Sequence, residues 1–271
     1  MAVAIEGDRA IPLIGVGELG PATPLSLLRD PPLDRDSALP TAQLRRRPVI
    51  PRPGKVICVG LNYAAHIEET KRERSDYPVL FTKFATTLTG PFDSIPLPPE
   101  PEAIDYEGEL TVVIGEHGRR VPRDRALDHV AGYTVANDVS MRDYQYKTHQ
   151  WLQGKAWDAS TPLGPDLVTR DEIAEPLILR TFVNTEKVQE ASTELLIFDV
   201  PTLVSTVSEF ATLEPGDLIL TGTPGGVGFR REPPLLLKDG DVVVVEIEQV
   251  GRIENRCVVD QPSAARTAAA N

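Results

Sequence analysis

Asp105-Tyr106-Glu107-Gly108-Glu109-Leu110-Thr111-Val112-Val113-Ile114-Gly115 runs three acidic residues into an apolar stretch. Leu110–Ile114 reads as a buried strand. Side chains alternate along a strand, so Glu107 and Glu109 share a face, roughly 6–7 Å apart. Two like charges this close are unfavourable unless exposed or joined by a cation. The apolar run that follows makes burial, and hence a cation, attractive. The same spacing recurs in Glu246-Ile247-Glu248 at the end of a valine strand, where it reads as the wet face of a hairpin. Spacing alone therefore leaves metal and solvent both open.

Outward from this stretch, 25 prolines and 20 glycines cut the chain into short segments, which favours many strands over long helices. Lys55–Leu61, Val130–Ala136, Leu177–Asn184, Leu218–Leu220 and Val242–Glu248 read as further strands. Helices are expected at Asn62–Thr70, Ser140–Gln153 and Pro201–Thr212, the last with proline at its start and an apolar stripe. Regular strand–helix alternation is missing, so the fold class is β-rich α+β rather than a doubly wound sheet. Three parts are expected: a small N-terminal segment and linker over 1–50, a catalytic domain over 51–261 and a flexible tail over 262–271. The proline-rich stretch 31–53 surrounds Arg45-Arg46-Arg47, which reads as a solvated charge run.

The charge balance excludes some partners. With 28 Lys+Arg against 40 Asp+Glu, the chain is a poor binder of nucleic-acid backbones and of anionic membrane surfaces. The first residues lack a basic, then apolar, secretory pattern, and no apolar run reaches membrane-spanning length. The simplest compartment is the cytoplasm. Cys58 and Cys257 form no CxxC pair, so neither a disulfide scaffold nor a cysteine zinc site is expected.

Several other features each have two readings. Gly15-Val16-Gly17-Glu18-Leu19-Gly20 fits GxGxxG but runs into prolines without a βαβ unit, so a dinucleotide site is rejected. Gly222–Gly228 is either a tight loop or backbone approaching a ligand. No GxSxG elbow is present. Asp138 ends a strand where a helix is expected; it is an N-cap or a third carboxylate at a site. With no Cys or His cluster, oxygen ligands would select Mg²⁺ or Mn²⁺. His66 and Glu69, at i and i+3, are neighbours on a helix, either an exposed pair or an oriented general base. Lys155, between Gly154 and Ala156-Trp157, is a surface lysine or a holder of a substrate anion.

Taken together, the chain resembles the fumarylacetoacetate hydrolase family. The matching blocks, in order, are GLNYAAHIEE (Gly60–Glu69), PVLFTKFATTLTGP (Pro78–Pro91), DYEGELTVVIG (Asp105–Gly115), GYTVANDVSMRDYQ (Gly132–Gln145), QWLQGKAWDASTPLGP (Gln150–Pro165) and LEPGDLILTGTPGGVG (Leu213–Gly228). The resemblance implies a mixed β-roll with a pseudo-barrel core, in a homodimer. It implies Glu107, Glu109 and Asp138 as ligands of Mg²⁺ or Mn²⁺, and His66 with Glu69 as a water-activating dyad. It also implies Lys155 beside metal and substrate, with Arg142, Gln145 and Thr223 lining the substrate pocket. A fourth acidic ligand found in some members has no counterpart among Val59, Gly60, Leu61 and Asn62. Where many relatives have a proline, Phe84 follows Lys83. The charged stretch Thr70–Tyr77 is expected to be a lid ordered by substrate.

The resemblance implies first a C–C bond hydrolase for a 1,3-dicarbonyl 2-oxo acid, such as an acylpyruvate. The alternatives are a metal-dependent decarboxylase of oxaloacetate or another β-keto acid, or a hydratase or isomerase of the same family. A non-catalytic metal-binding module would have no need of His66, Glu69 or Lys155. Fold does not decide among these chemistries.

Overall fold

Gly108–Ile114 is a strand whose every residue is buried. It belongs to a computed structural model that describes residues 1–174 and 176–260. The tail expected over 262–271 lies outside the described residues. The strand occupies the middle of a seven-stranded mixed sheet that curls into a half-barrel. In spatial order the strands are Val79–Lys83, Val56–Gly60, Leu218–Leu220, Gly108–Ile114, Val130–Asn137, Thr161–Thr169 and Leu88–Thr89. A strand buried on both faces reads as an unbroken apolar run, which is why Leu110–Ile114 stands out.

The two faces are distinct. Leu110, Val112 and Ile114 join the larger core, while Val113 joins a second cluster with Cys58, Ala136 and Leu220. The larger core also takes Leu179, Val245 and Ile253 from a five-stranded sheet of Glu186–Ser192, Ile178–Val183, Val242–Ile247, Gly251–Val259 and Ile95–Leu97. Truncating a residue such as Leu110 to Ala there costs about 2–5 kcal/mol, from lost burial and the cavity left behind. Gly108, between the two glutamates, lies where this second sheet comes close. A Cβ on it would run into Thr181 Oγ1 and meet Val245 at 2.9 Å.

The helix Val200–Phe210 begins at Asp199, whose carboxylate accepts the Thr202 backbone N–H at 3.0 Å, with a proline in the first turn. Its buried Leu203, Val204 and Val207 form the expected stripe. The helix expected over Ser140–Gln153 is corrected. Ser140–Met141 pairs as a short strand with Ile104–Asp105, and two single turns follow, Arg142–Gln145 and Leu152–Lys155. These turns fold against each other: a Cβ on Gly154 would lie 2.5 Å from Gln145 Cα. The strands Val3–Glu6, Arg9–Pro12 and Leu39–Pro40 form a separate three-stranded sheet. Nor is the triple arginine simply solvated. Half-buried Arg46 bonds both Asp166 oxygens at 2.7 Å, and Arg45 pairs with Asp93 at 3.0 Å.

Candidate functional site

Strand register builds an acidic cluster. Ala136 pairs with Glu109 and Asn137 with Gly108, so the next residue, Asp138, falls opposite Glu107. The Asp138 N–H donates to the Glu107 carbonyl at 2.8 Å. Two-residue periodicity then brings Glu107, Glu109 and Asp138 to one face, each with a carboxylate oxygen within 4.8 Å of the others. All three are buried. The N-cap reading of Asp138 fails, because the next helical turn starts at Arg142 without a side-chain cap.

Cations surround this cluster unevenly. Lys155 Nζ lies 2.6 Å from Glu107 Oε2 and 2.9 Å from Asp138 Oδ2. Arg142 bridges Glu107 at 2.7 Å and Asp105 at 2.8 Å, and donates to Gln145 Oε1 at 3.0 Å. Lys83 reaches Asp138 Oδ1 at 2.5 Å, with both side chains fully buried. Sequence reasoning missed Lys83. Its signal was available in Val79-Leu80-Phe81-Thr82-Lys83, where the lysine follows Val79 and Phe81 on one face of a strand. Glu109 is left out: among the described residues no cation pairs with it, and the Gly222 N–H donates to it at 2.8 Å.

Charge states follow from this. Burial opposes ionisation of Glu107, but Lys155 and Arg142 hold its carboxyl down to about 2. Burial, then the charges of Asp138 and Glu107, push Glu109 well above the usual carboxylate range. Burial works against the Lys155 charge, but Asp138 and Glu107 outweigh it and raise its pKa. The donor set therefore fits a hard divalent ion. It offers three convergent carboxylates, and one of them lacks a cation at a position where negative charge is disfavoured.

His66 is buried on the helix Ala64–Thr70, with Nδ1 2.7 Å from Glu69 Oε1, so the exposed-pair reading fails. Glu69 in turn accepts the Gly226 N–H at 2.8 Å. The Gly-rich loop is held as a tight loop, and its Thr223 and Val227 line a cavity. Its N–H groups at Gly222, Gly226 and Gly228 hold the carboxylates of Glu109, Glu69 and Asp105. Gly226, at φ +100°, leaves no room for a side chain against the Val188 carbonyl. Thr223 donates to the Gly108 carbonyl at 3.0 Å.

One concavity gathers these groups. His66, Glu107, Glu109, Arg142, Gln145, Lys155 and Thr223 all line it. Asp138 stands behind the carboxylate floor and Glu69 behind His66. Arg72, Tyr146 and Arg230 border the outer end, and none of the three was singled out in the sequence. Thr70–Tyr77 was expected to be a lid. In the structure Lys71, at φ +55°, ends the helix, and the exposed segment beyond it puts Arg72 at the mouth.

Comparisons with known proteins agree with this geometry. The fumarylacetoacetate (FAA) hydrolase C-terminal model matches residues 55–258. A mitochondrial oxaloacetate tautomerase of Bos taurus is 46% identical over 245 residues, covering 89% of this chain and 78% of that protein. A 5-carboxymethyl-2-hydroxymuconate delta-isomerase from Mycobacterium smegmatis superposes with a TM-score of 0.81 at 37% identity, over 95% of this chain and 94% of the other. A maleylpyruvate hydrolase from Sphingobium sp. SYK-6, in complex with manganese(II) and pyruvate, gives 0.77 at 30% identity over 96% of both chains. The cytoplasmic expectation is corrected: the bovine relative is mitochondrial, and lacking a secretory pattern or an apolar span does not identify an aqueous compartment. C–C hydrolysis is likewise not singled out, because the relatives include a tautomerase and an isomerase. With matching sequence, superposable fold and its acidic cluster in place, the chain belongs to the fumarylacetoacetate hydrolase family of enzymes.

Proposed function

We propose that this enzyme uses Mg²⁺ or Mn²⁺ to interconvert the enol and keto forms of oxaloacetate or a closely similar 2-oxo dicarboxylate. One observation carries the reading: His66, paired with Glu69, and Glu107 and Glu109, joined by Asp138 in a three-carboxylate cluster, line one cavity bordered by cations. The strong likeness to the bovine tautomerase supports this substrate. The catalytic unit is taken as 51–261, supported by the family match over 55–258.

Glu107, Glu109 and Asp138 would hold the ion, which when bound supplies a Lewis acid for negative charge growing on a substrate oxygen. With Nδ1–H directed at Glu69, His66 keeps a lone pair on Nε2. In the keto-to-enol direction that nitrogen takes a proton from the carbon beside the keto group and delivers it to the enolate oxygen; ketonisation runs the same transfer in reverse, from oxygen to carbon. Glu69, itself fixed by the Gly226 N–H, orients the ring and sets its tautomer. Lys155 stays protonated and adds positive charge beside the reacting group. Arg142, Gln145 and Thr223 position the substrate. Arg142 bonds Gln145, and Thr223 separately accepts from Gln189.

Hydrolysis of a C–C bond is a second reading, favoured by the same dyad, which could activate a water, and by the Sphingobium relative. The test follows ketonisation of enol-oxaloacetate by ultraviolet absorbance, with pyruvate and acylpyruvate cleavage measured alongside. Ketonisation proportional to enzyme and lost in EDTA is the expected result. A background ketonisation rate beside cleavage of an acylpyruvate into two acids would replace the tautomerase with the hydrolase.

A further inference from the structure

The cavity changes character from floor to mouth. His66 and Lys155 at the floor are 6% and 2% exposed, whereas Tyr146 at the mouth is 40% exposed and Arg72 and Arg230 are exposed beside it. The floor cations are committed: Lys155 to Glu107 and Asp138, Arg142 to Asp105 and Glu107. The mouth cations differ. Among the described residues, neither Arg72 nor Arg230 has a carboxylate at ion-pair distance, although acidic residues outnumber basic ones, 40 to 28.

Aromatic rings hold both arginines instead. The Arg72 guanidinium carbon lies 5.3 Å from the Trp151 ring centroid and 5.8 Å from that of Tyr146. That of Arg230 lies 5.9 Å from Tyr146 and 5.4 Å from Phe229, and its Nη2 is 3.4 Å from the Tyr146 hydroxyl. The left-handed Lys71 turns Arg72 back toward the helix, where its N–H donates to the Ile67 carbonyl at 3.3 Å. A guanidinium packed on rings keeps its N–H edge for a planar anion and loses little freedom on binding one.

We propose that Arg72 and Arg230 form a carboxylate-recognition rim, which selects substrates carrying a second carboxylate at the end remote from the 2-oxo acid. The inference rests on the reading that the floor takes the 2-oxo acid end, which directs the other end of the substrate toward the mouth. It makes the dicarboxylate class a property of two exposed arginines rather than of the acidic cluster.

The test compares oxaloacetate with its 4-ethyl ester on the Mg²⁺-loaded full chain. The ester keeps the 2-oxo acid and the acidic carbon but lacks the remote charge. Hydrogen bonds to a charged group are worth enough that the Arg72→Met/Arg230→Met double variant should lose roughly 10–100-fold in kcat/KM for oxaloacetate. The loss should fall on KM, and ester kinetics should stay within about threefold of wild type, since surface changes elsewhere have small effects. Arg72→Lys, which keeps the charge without the fork, should lose less than Arg72→Met. Equal losses on both substrates would reduce the rim to packing, and no loss on either would refute it. If the double variant does not fold, the single variants give the same comparison. If wild type turns over neither substrate, the tautomerase reading has failed. The rim is then judged by the affinity of the metal-loaded protein for 3,3-difluorooxaloacetate against its 4-ester. Preference for the diacid that disappears in the variants sustains the rim, and equal affinity in wild type overturns it.

Discussion

Glu107-Gly108-Glu109 and Glu246-Ile247-Glu248 share a spacing and have opposite fates. Glu246 and Glu248 lie on the outer side of the five-stranded sheet, where Arg180 sits 3.7 Å from one and 2.9 Å from the other. Their repulsion is met by a cation from the neighbouring strand and by water. Glu107 and Glu109 are buried, and strand register adds Asp138 to them. Even within this pair the outcomes diverge. Lys155 and Arg142 neutralise Glu107, while Glu109 has no cation partner among the described residues. Alternating carboxylates thus become a candidate metal site through burial, a third acid and an incomplete set of cations, none of which is local to the motif.

The largest effect that tests this contrast is Glu109→Gln, which should abolish activity and the Mg²⁺-dependent rise in Tm. Glu246→Gln should leave activity within about twofold. Without metal the variant should be more stable than wild type, with a definite pH dependence. The folded-state pKa of Glu109 is raised above its ordinary 4.5, by burial first and then by Asp138 and Glu107. Its contribution to stability is full below 4.5 and is lost as pH rises through the higher folded value. In EDTA, then, the advantage of Glu109→Gln should grow as pH rises through that window. Glu107 has the opposite sign: its contribution is present above 4.5 and lost as pH falls toward about 2. Thermal melts of both proteins across pH settle the point, and equal curves would mean Glu109 is not strained.

Next in size is His66→Ala, expected to lower kcat by about 10²–10⁴-fold while keeping the Mg²⁺ shift in Tm. Glu69→Gln should be milder, because the base survives with its tautomer mis-set. A dead His66→Ala beside a fully active Glu69→Gln would break the dyad.

Much of this was legible in the sequence, and the rest was not, for identifiable reasons. The strand Gly108–Ile114 and the helix Val200–Phe210 follow from periodicity and an N-terminal proline. Both are long enough for the pattern to outweigh noise. The Ser140–Gln153 stretch misled because its polar and aromatic residues suit a helix, whereas pairing with Ile104–Asp105 and close approach at Gly154 are long-range events. The carboxylates could be suspected from spacing, but their convergence needs the Ala136–Glu109 register. Lys83 went unnoticed because its partner lies 55 residues away. That the N–H groups of the Gly-rich loop serve the carboxylates of Glu109, Glu69 and Asp105 was not legible, because nothing local announces those partners.

Lys83→Met gives a smaller but separate measure of the buried region. Removing one member of a buried ion pair leaves an uncompensated charge, costing about 3 kcal/mol or more in urea unfolding without metal. Mg²⁺ should reduce that deficit, because the ion enters a site with one cation fewer. If the loss is the same with and without Mg²⁺, Lys83 is coupled only to folding.

The smallest expected effect comes from the other pair, through Arg180→Met. Arg180 links Glu246, Glu248 and Glu190 on the outer side of the five-stranded sheet, and its hydrogen bonds to Glu190 and Glu248 raise its pKa. Water can replace these contacts, and such networks are screened by salt. The long apolar stem of methionine keeps much of the packing of the arginine stem. The variant should therefore show a small fall in Tm that shrinks as ionic strength rises, with activity within about twofold of wild type. The Mg²⁺ shift in Tm should not change at all, since Glu246 and Glu248 lack the third carboxylate and the burial that set Glu109 apart. A new Mg²⁺-dependent stabilisation in Arg180→Met would show that removing one cation is enough to turn an exposed E-x-E pair into a metal site. The distinction would then rest on cation content alone, with burial contributing nothing.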